Sequence, residues 1–366
     1  MASEKYVDTH AERRGSVGES YNERRMSRVP DVQRTGSVSR HFSDAKRPSA
    51  VIVHDAANAT EAEQKMTVWQ GLKTYPKAIG WSVCFSSAII MEGYDLTVLG
   101  SFWPSQVFQD YYGNRTDPST GLPIVDASWQ AGIGNAMLCG QICGLFIAGI
   151  VADKFGFKKV MAVSLMMVTA FIFILFFSNG VVMLLIGEFL MGFPMGVFQT
   201  LTVTYASEVC PVVLRCYLTT YVNLCWVIGQ FIASGVIKAV TATLTDQYMF
   251  RIPWALQWCF PIPILIGVIL APESPWWLVR KGRLDDAKKA IIRLASKNEL
   301  VNPDEQIAMM VHTDELEKEI NTGTSYLDCF KGVDLRRTEI ACGVWMCQNL
   351  SGSGLMGEYT PLFIPA

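Results

Sequence analysis

AIGWSVCFSSAIIMEGYDLTVLGSFW, Ala78 to Trp103, is the stretch that decides the fold. It is long enough to cross a hydrocarbon core, which takes about 20 mostly apolar residues in a helix. It also carries two carboxylates, Glu92 and Asp95, three residues apart and so on one helix face. A carboxylate at mid-membrane costs roughly 2.5–3.5 kcal/mol on insertion scales, and its usual roles are proton relay and polar-substrate binding.

The rest of the chain follows the same pattern. Of 366 residues, 50% are hydrophobic and 17% charged, and the apolar ones gather into runs of spanning length. Seven are expected: 78–103, 128–151, 160–178, 181–205, 217–240, 253–271 and 339–363. This is the pattern of an all-α polytopic membrane protein, and it excludes a soluble domain. Residues 1–77 are rich in Ser, Arg and Glu and contain no signal-peptide core, so they read as a mostly disordered tail. Within that tail, 61–77 is expected to form a short helix leading into the first span. The division is then tail 1–77, six-span half-bundle 78–271, helical insert 272–338, and seventh span 339–366.

Lys and Arg set the orientation. With a cytoplasmic N-terminus, the inner loops hold Lys154, Lys158, Lys159, Arg215 and the set from Arg280 to Arg337, and the outer loops hold only Arg115, Lys238 and Arg251. The expected location is the plasma membrane, multi-pass, with the N-terminus inside. None of the ten cysteines falls in an expected outer loop, so no disulfide framework is expected. Cys139 and Cys143 share a helix face, but no His lies in any span, and packing explains them better than a metal does. The outer loop 104–127 carries the sequon Asn114-Arg115-Thr116, a candidate glycosylation site. Asn58-Ala59-Thr60 lies on the other side and should stay bare.

Small residues recur at helix-packing spacing, Gly140 with Gly144 and Gly192 with Gly196. In the insert, Leu284, Ala287, Ile291 and Leu294 share a face, and Asn302-Pro303 is a helix start. These amphipathic helices should lie under the bundle.

Three motifs identify the chain. GIVADKFGFKKV, with Gly149, Asp153, Lys154, Gly156, Lys158 and Lys159, resembles the loop motif of the major facilitator superfamily. PESPWWLVRKGR, Pro272 to Arg283, resembles the P-E-S-P-R motif of sugar porters, with Trp276 where the family usually has Arg. MEGYD, LTVTYASE, PESPWWL and RRTEIACGVW resemble the fungal α-glucoside:proton symporters, the maltose permease group. The resemblance implies a twelve-span protein of two six-helix halves, with a sugar site between them and alternating access.

It also implies roles for single residues. Asp95 and Glu92 would bind the coupling proton. Two departures stand beside them. Span two has Gln141 where the maltose group has a carboxylate, and span four has Glu188 where sugar porters have Arg or Gln. Glu188 reads either as a displaced proton-coupling acid or as a carboxylate snorkelling at the outer interface. Gln230, Gln348 and Asn349 match the family's sugar-binding amides, and Trp226, one turn before Gln230, is a candidate stacking platform. Glu358 and Tyr359 fall in the outer-gate region. Asp153, Lys154, Lys158, Lys159, Glu208, Arg215, Glu273, Arg280 and Arg283 would form ion pairs that gate the cycle.

The leading expectation is proton-coupled symport of an α-glucoside such as maltose, with no cofactor beyond the proton. The expected partners are the sugar and the lipid bilayer, with no nucleic acid. A transporter of another small polar solute is the second reading. The third starts from the C-terminus: the sequence stops at TPLFIPA as the seventh span ends, so the second half-bundle is expected to be missing. Transport would then need a homodimer or a separate second-half partner, and a sensor, partner or inactive remnant is the alternative. No nucleophile–base pairing, metal spacing or phosphate loop suggests an enzyme.

Overall fold

The computed structural model describes residue 61 and residues 65–118, 121–295, 302–320 and 329–352. The tail 1–60 with its Asn58 sequon, the end of the expected seventh span, Glu358 and Tyr359 lie outside the described residues.

Six helices among the described residues are long and apolar enough to cross a membrane: Pro76–Phe102, Ala127–Phe155, Phe157–Phe176, Val181–Val209, Val212–Thr243 and Tyr248–Leu270. Their outward faces are apolar, with Leu138, Ile142, Phe146 and Ile150 exposed on the second span and Ile262, Ile266 and Ile269 on the sixth. Lipid tails are as apolar as these side chains, so burial of oily surface does little to hold such helices together, and close backbone packing does more.

Glycine supplies that packing. Gly140 and Gly144 of the second span meet Gly192 and Gly196 of the fourth, and a Cβ at any of the four would overlap backbone of the opposite helix. The two glycine pairs read separately in the sequence are thus two sides of one interface. The first and fifth spans use the same device, with Gly93 against the Trp226 carbonyl and Gly229 against the Ile90 carbonyl.

Two spans are broken at mid-course. The first divides at Ser87 into Pro76–Ser86 and Ala88–Phe102. There the Ser87 hydroxyl donates to the Val83 carbonyl at 2.9 Å, a back-bond that bends helices. The sixth, expected as one run, consists of Tyr248–Leu256, a 3₁₀ turn Gln257–Cys259, and Pro261–Leu270. Proline explains the break. Pro261 has no N–H for the Gln257 carbonyl four residues earlier, so the Phe260 N–H donates to it instead at 3.2 Å. The Pro253 carbonyl, inside the first piece, is taken by the Tyr94 hydroxyl of the first span at 2.9 Å.

Spans two and three are joined by one residue, Gly156, at φ 94°. An L side chain is strained there, and a Cβ would in addition sit 2.7 Å from Glu273 Oε2. At the basic end of the bundle, the helix Val68–Thr74 starts at a Thr67–Gln70 capping box. The helix Leu284–Leu294 buries Ala287, Ile291 and Leu294. The helix Pro303–Ile320 follows Asn302, whose side chain accepts from the Asp304 N–H at 3.1 Å. Gln306 of that helix donates to the Tyr75 hydroxyl at 2.6 Å and ties the insert to the start of the first span.

Where a seventh span was expected over 339–363, a helix runs from Gly332 to Leu350. It starts earlier because Asp334, Arg336, Arg337 and Glu339 form its first turns, and Ile340, Val344, Trp345 and Met346 on it are exposed. The ten cysteines are free.

The glycine interface yields a direct expectation. Gly196→Val, which must push the two helix backbones apart, should destabilise the detergent-solubilised chain by about 1–3 kcal/mol or prevent its folding. Gly134→Val, with open space around it, should leave the melting temperature within a degree or two, about the scatter of neutral surface changes. Equal effects in a thermal melt would contradict the assigned packing.

Candidate functional site

Glu92, Asp95 and Glu188 are 2%, 0% and 0% exposed. No Lys, Arg or His among the described residues forms an ion pair with any of them. Amides hold two of the three instead. Glu92 Oε1 accepts from Gln141 Nε2 of the second span at 3.1 Å and from Gln199 Nε2 of the fourth. Asp95 Oδ1 accepts from Gln257 Nε2, in the 3₁₀ break of the sixth. Glu92 Oε2, Asp95 Oδ2 and both oxygens of Glu188 are buried without hydrogen-bond partners among the described residues. Glu188 lies close enough to Asp95 for their charges to repel. Spans two, four and six therefore converge on the first, and the residue where a maltose permease is expected to carry an acid, Gln141, is bonded to Glu92. Full burial of Glu188 rules out a snorkelling interfacial carboxylate.

The expected sugar-binding residues are more dispersed. Trp226 and Gln230 are half-buried, one turn apart on the fifth span. Trp226 packs against the core, and its carbonyl is the one that Gly93 abuts. Gln348 is exposed on the Gly332–Leu350 helix, and Asn349 follows it there.

At the basic end, the residues expected to gate divide into two groups. Arg280 Nη2 donates to Glu208 Oε1 at 2.8 Å, and its Nη1 lies 3.9 Å from Asp153 Oδ1. Ser274 Oγ donates to the other Glu208 oxygen. Glu273 Oε1 accepts from the Lys158 and Ser274 backbone N–H groups, each at 3.3 Å, while Lys158 Nζ donates to the Ala271 carbonyl at 3.1 Å. Burial pushes the Glu273 carboxyl above the usual carboxylate range, against the pull of these N–H groups and the Lys158 charge. Trp277 Nε1 donates to the Asp153 carbonyl at 2.9 Å, and the Tyr205 hydroxyl to that of Pro272 at 2.9 Å. The turn between spans two and three, the end of span four and the PESP segment are thus one knot.

The other expected gating residues stand outside it. Arg283 pairs with Asp286 at 2.7 Å, three residues away on the helix it precedes. Lys154 and Lys159 are exposed. Arg215 lines a cleft with Tyr75, Cys210, Pro211, Trp276 and Gln306, and its buried Nε has no partner. At the opposite end, Asn114 is exposed and opens the hairpin of β1 (Arg115–Thr116) and β2 (Pro123–Ile124). Its side-chain oxygen accepts from the Asp126 N–H at 3.0 Å.

Residues 81–363 match the family model described as sugar (and other) transporter. The chain belongs to this family. It is 40% identical to the maltose permease MAL61 of Saccharomyces cerevisiae over 316 residues, 84% of this chain and 51% of that protein. It is 41% identical to the alpha-glucosides permease MPH3 of the same organism, over 84% of this chain and 52% of that protein. The chain therefore spans about half the length of the curated relatives it matches. Among solved structures, a partially occluded inward-open xylose transporter XylE from E. coli superposes with a TM-score of 0.60, at 16% identity, over 78% of this chain and 66% of that one. The major facilitator proton:xylose symporter XylE bound to 6-bromo-6-deoxy-D-glucose gives 0.57 at 17% identity, over 68% and 55%. The fold is that of the major facilitator superfamily.

In this sugar transporter family member, two contacts of the buried acids escape a reading of the sequence. Gln199 and Gln257 sit 107 and 162 residues from the acids they hold. The prolines around Gln257 were the available signal, since a break in a membrane helix lines something polar.

The basic-end knot can be tested by contrast. Arg280→Ala strands the Glu208 carboxylate, whose side chain is 10% exposed. It should cost about 1–2 kcal/mol in a thermal melt, below the full buried-pair value because the guanidinium is partly solvated. Arg283→Ala should cost under about 0.5 kcal/mol, as exposed pairs do. A larger loss from Arg283→Ala would overturn the division of the gating set.

Proposed function

We propose that this chain forms the six-helix N-terminal half of a proton-coupled α-glucoside transporter of the plasma membrane, with maltose the representative substrate and the basic end cytoplasmic. The observation that carries the reading is the set of three buried carboxylates inside the bundle with no cation paired to them among the described residues. A carboxylate held only by amides is expensive to keep ionised in a low-dielectric interior, so a proton is its natural counter-ion. The names of the relatives, maltose and alpha-glucosides permeases, point to the substrate.

The mechanism follows from what each group does. Protonation of Asp95 removes a charge that repels Glu188 and leaves Gln257 holding a neutral acid in place of an ion. Tyr94 and Asp95 both bind the sixth span, so the first and sixth spans feel the change together. Half-buried Gln230 and Trp226 offer the sugar an amide and an aromatic face. Glu208, Arg280, Asp153 and Glu273 hold the basic end closed in one state and separate in the other. A second half-bundle, like the remaining half of the relatives' length, completes the cavity that alternating access needs.

The test is uptake of labelled maltose by cells lacking their own permeases and expressing this chain, alone and with the second half of MAL61. Uptake should rise as external pH falls and collapse with a protonophore, and Asp95→Asn should abolish accumulation against a gradient. Normal membrane insertion without uptake in either setting would sink the transport reading and favour a sensor or partner. Orientation has its own check: Asn114→Gln should remove one endoglycosidase-sensitive mass shift, and a wild-type chain without that shift in a glycosylating host counts against an outer 104–127 loop.

A further inference from the structure

The structure assigns Gln257 as the residue that holds the Asp95 proton, through a cyclic acid–amide pair. This deepens the proposed proton coupling and rests on Asp95 being the proton site. Gln257 is 1% exposed and is carried by the 3₁₀ break that Pro261 enforces. Its Nε2 donates to Asp95 Oδ1. That single bond leaves one atom over on each group, Asp95 Oδ2 and Gln257 Oε1, both buried and both without a partner.

Two lone-pair oxygens left over in a buried site are a defect while Asp95 is ionised. One added proton on Oδ2 repairs it. The new O–H donates to Gln257 Oε1 while Nε2–H continues to donate to Oδ1, which closes a ring of two hydrogen bonds. No other described group supplies Oδ2 with a donor. The charged or titratable neighbours are Glu92 on the same helix, which is engaged by Gln141 and Gln199, and Glu188 on the fourth span, which is an acceptor when ionised. Tyr94 is committed to Pro253. Gln257 is therefore a positioning residue for the proton, distinct from Gln199, which serves Glu92.

The test is infrared titration of the purified full chain in lipid vesicles, following the carbonyl band of the protonated carboxyl that Asp95→Asn removes. Gln257→Met, which keeps shape and drops both amide functions, should lower the proton affinity of that band about tenfold, about one pH unit, because the neutral acid loses two hydrogen bonds and the ionised one loses one. The band should also move in frequency as its O–H loses the amide oxygen. Gln199→Met should leave it in place. A band that titrates unchanged in Gln257→Met overturns the assignment and leaves the proton role of Asp95 standing. A wild-type chain with no such band overturns both. A band that shifts as expected, in a chain that moves no maltose, supports the assignment and removes the sugar reading alone.

Discussion

The structure turns on the cost of keeping carboxylates out of water without cations. Glu92 and Asp95 sit in the most enclosed span of the bundle, and side-chain amides are the hydrogen-bond donors that reach them. An amide satisfies a lone pair without cancelling the charge, so it lowers the cost of burial but does not remove it. A lysine or arginine in the same place would lock the acid as an ion. The amide leaves both protonation states within reach.

Such a site works only if its components cannot drift. The glycines of spans two and four, and those of spans one and five, bring backbones into contact and fix where Gln141, Gln199 and Glu92 meet. Helices in lipid gain little from burying oily surface, so this contact carries much of the rigidity. The prolines of the sixth span do the opposite work, opening its ladder where Gln257 must turn toward Asp95.

The sequence was most legible where composition speaks in blocks. Apolar runs placed the six spans, and the small-residue pairs marked helix interfaces, though not that Gly140 and Gly144 face Gly192 and Gly196. The acids stood out because a charge in an apolar run is costly. Gln199 and Gln257 did not, since a glutamine in such a run looks like any interhelical bond, and their targets lie more than a hundred residues away. Glu188 was ambiguous because sequence gives depth along a helix poorly, and its burial resolves that. The basic-end residues were recognised as a set, but which of them touch depends on how the PESP segment folds back, and Arg283 is pointed away by the Gly282 turn at φ 72°.

The single-residue link at Gly156 has a mechanical meaning. Two helices joined by one residue have no slack, so spans two and three cannot shear past each other. The same residue is wedged by the Glu273 carboxylate, and Glu273 begins the segment that leads into the insert. Any tilt of that helix pair would have to be accommodated where the Gly156 turn meets Glu273. Lengthening the link by one residue would supply the slack that this junction lacks.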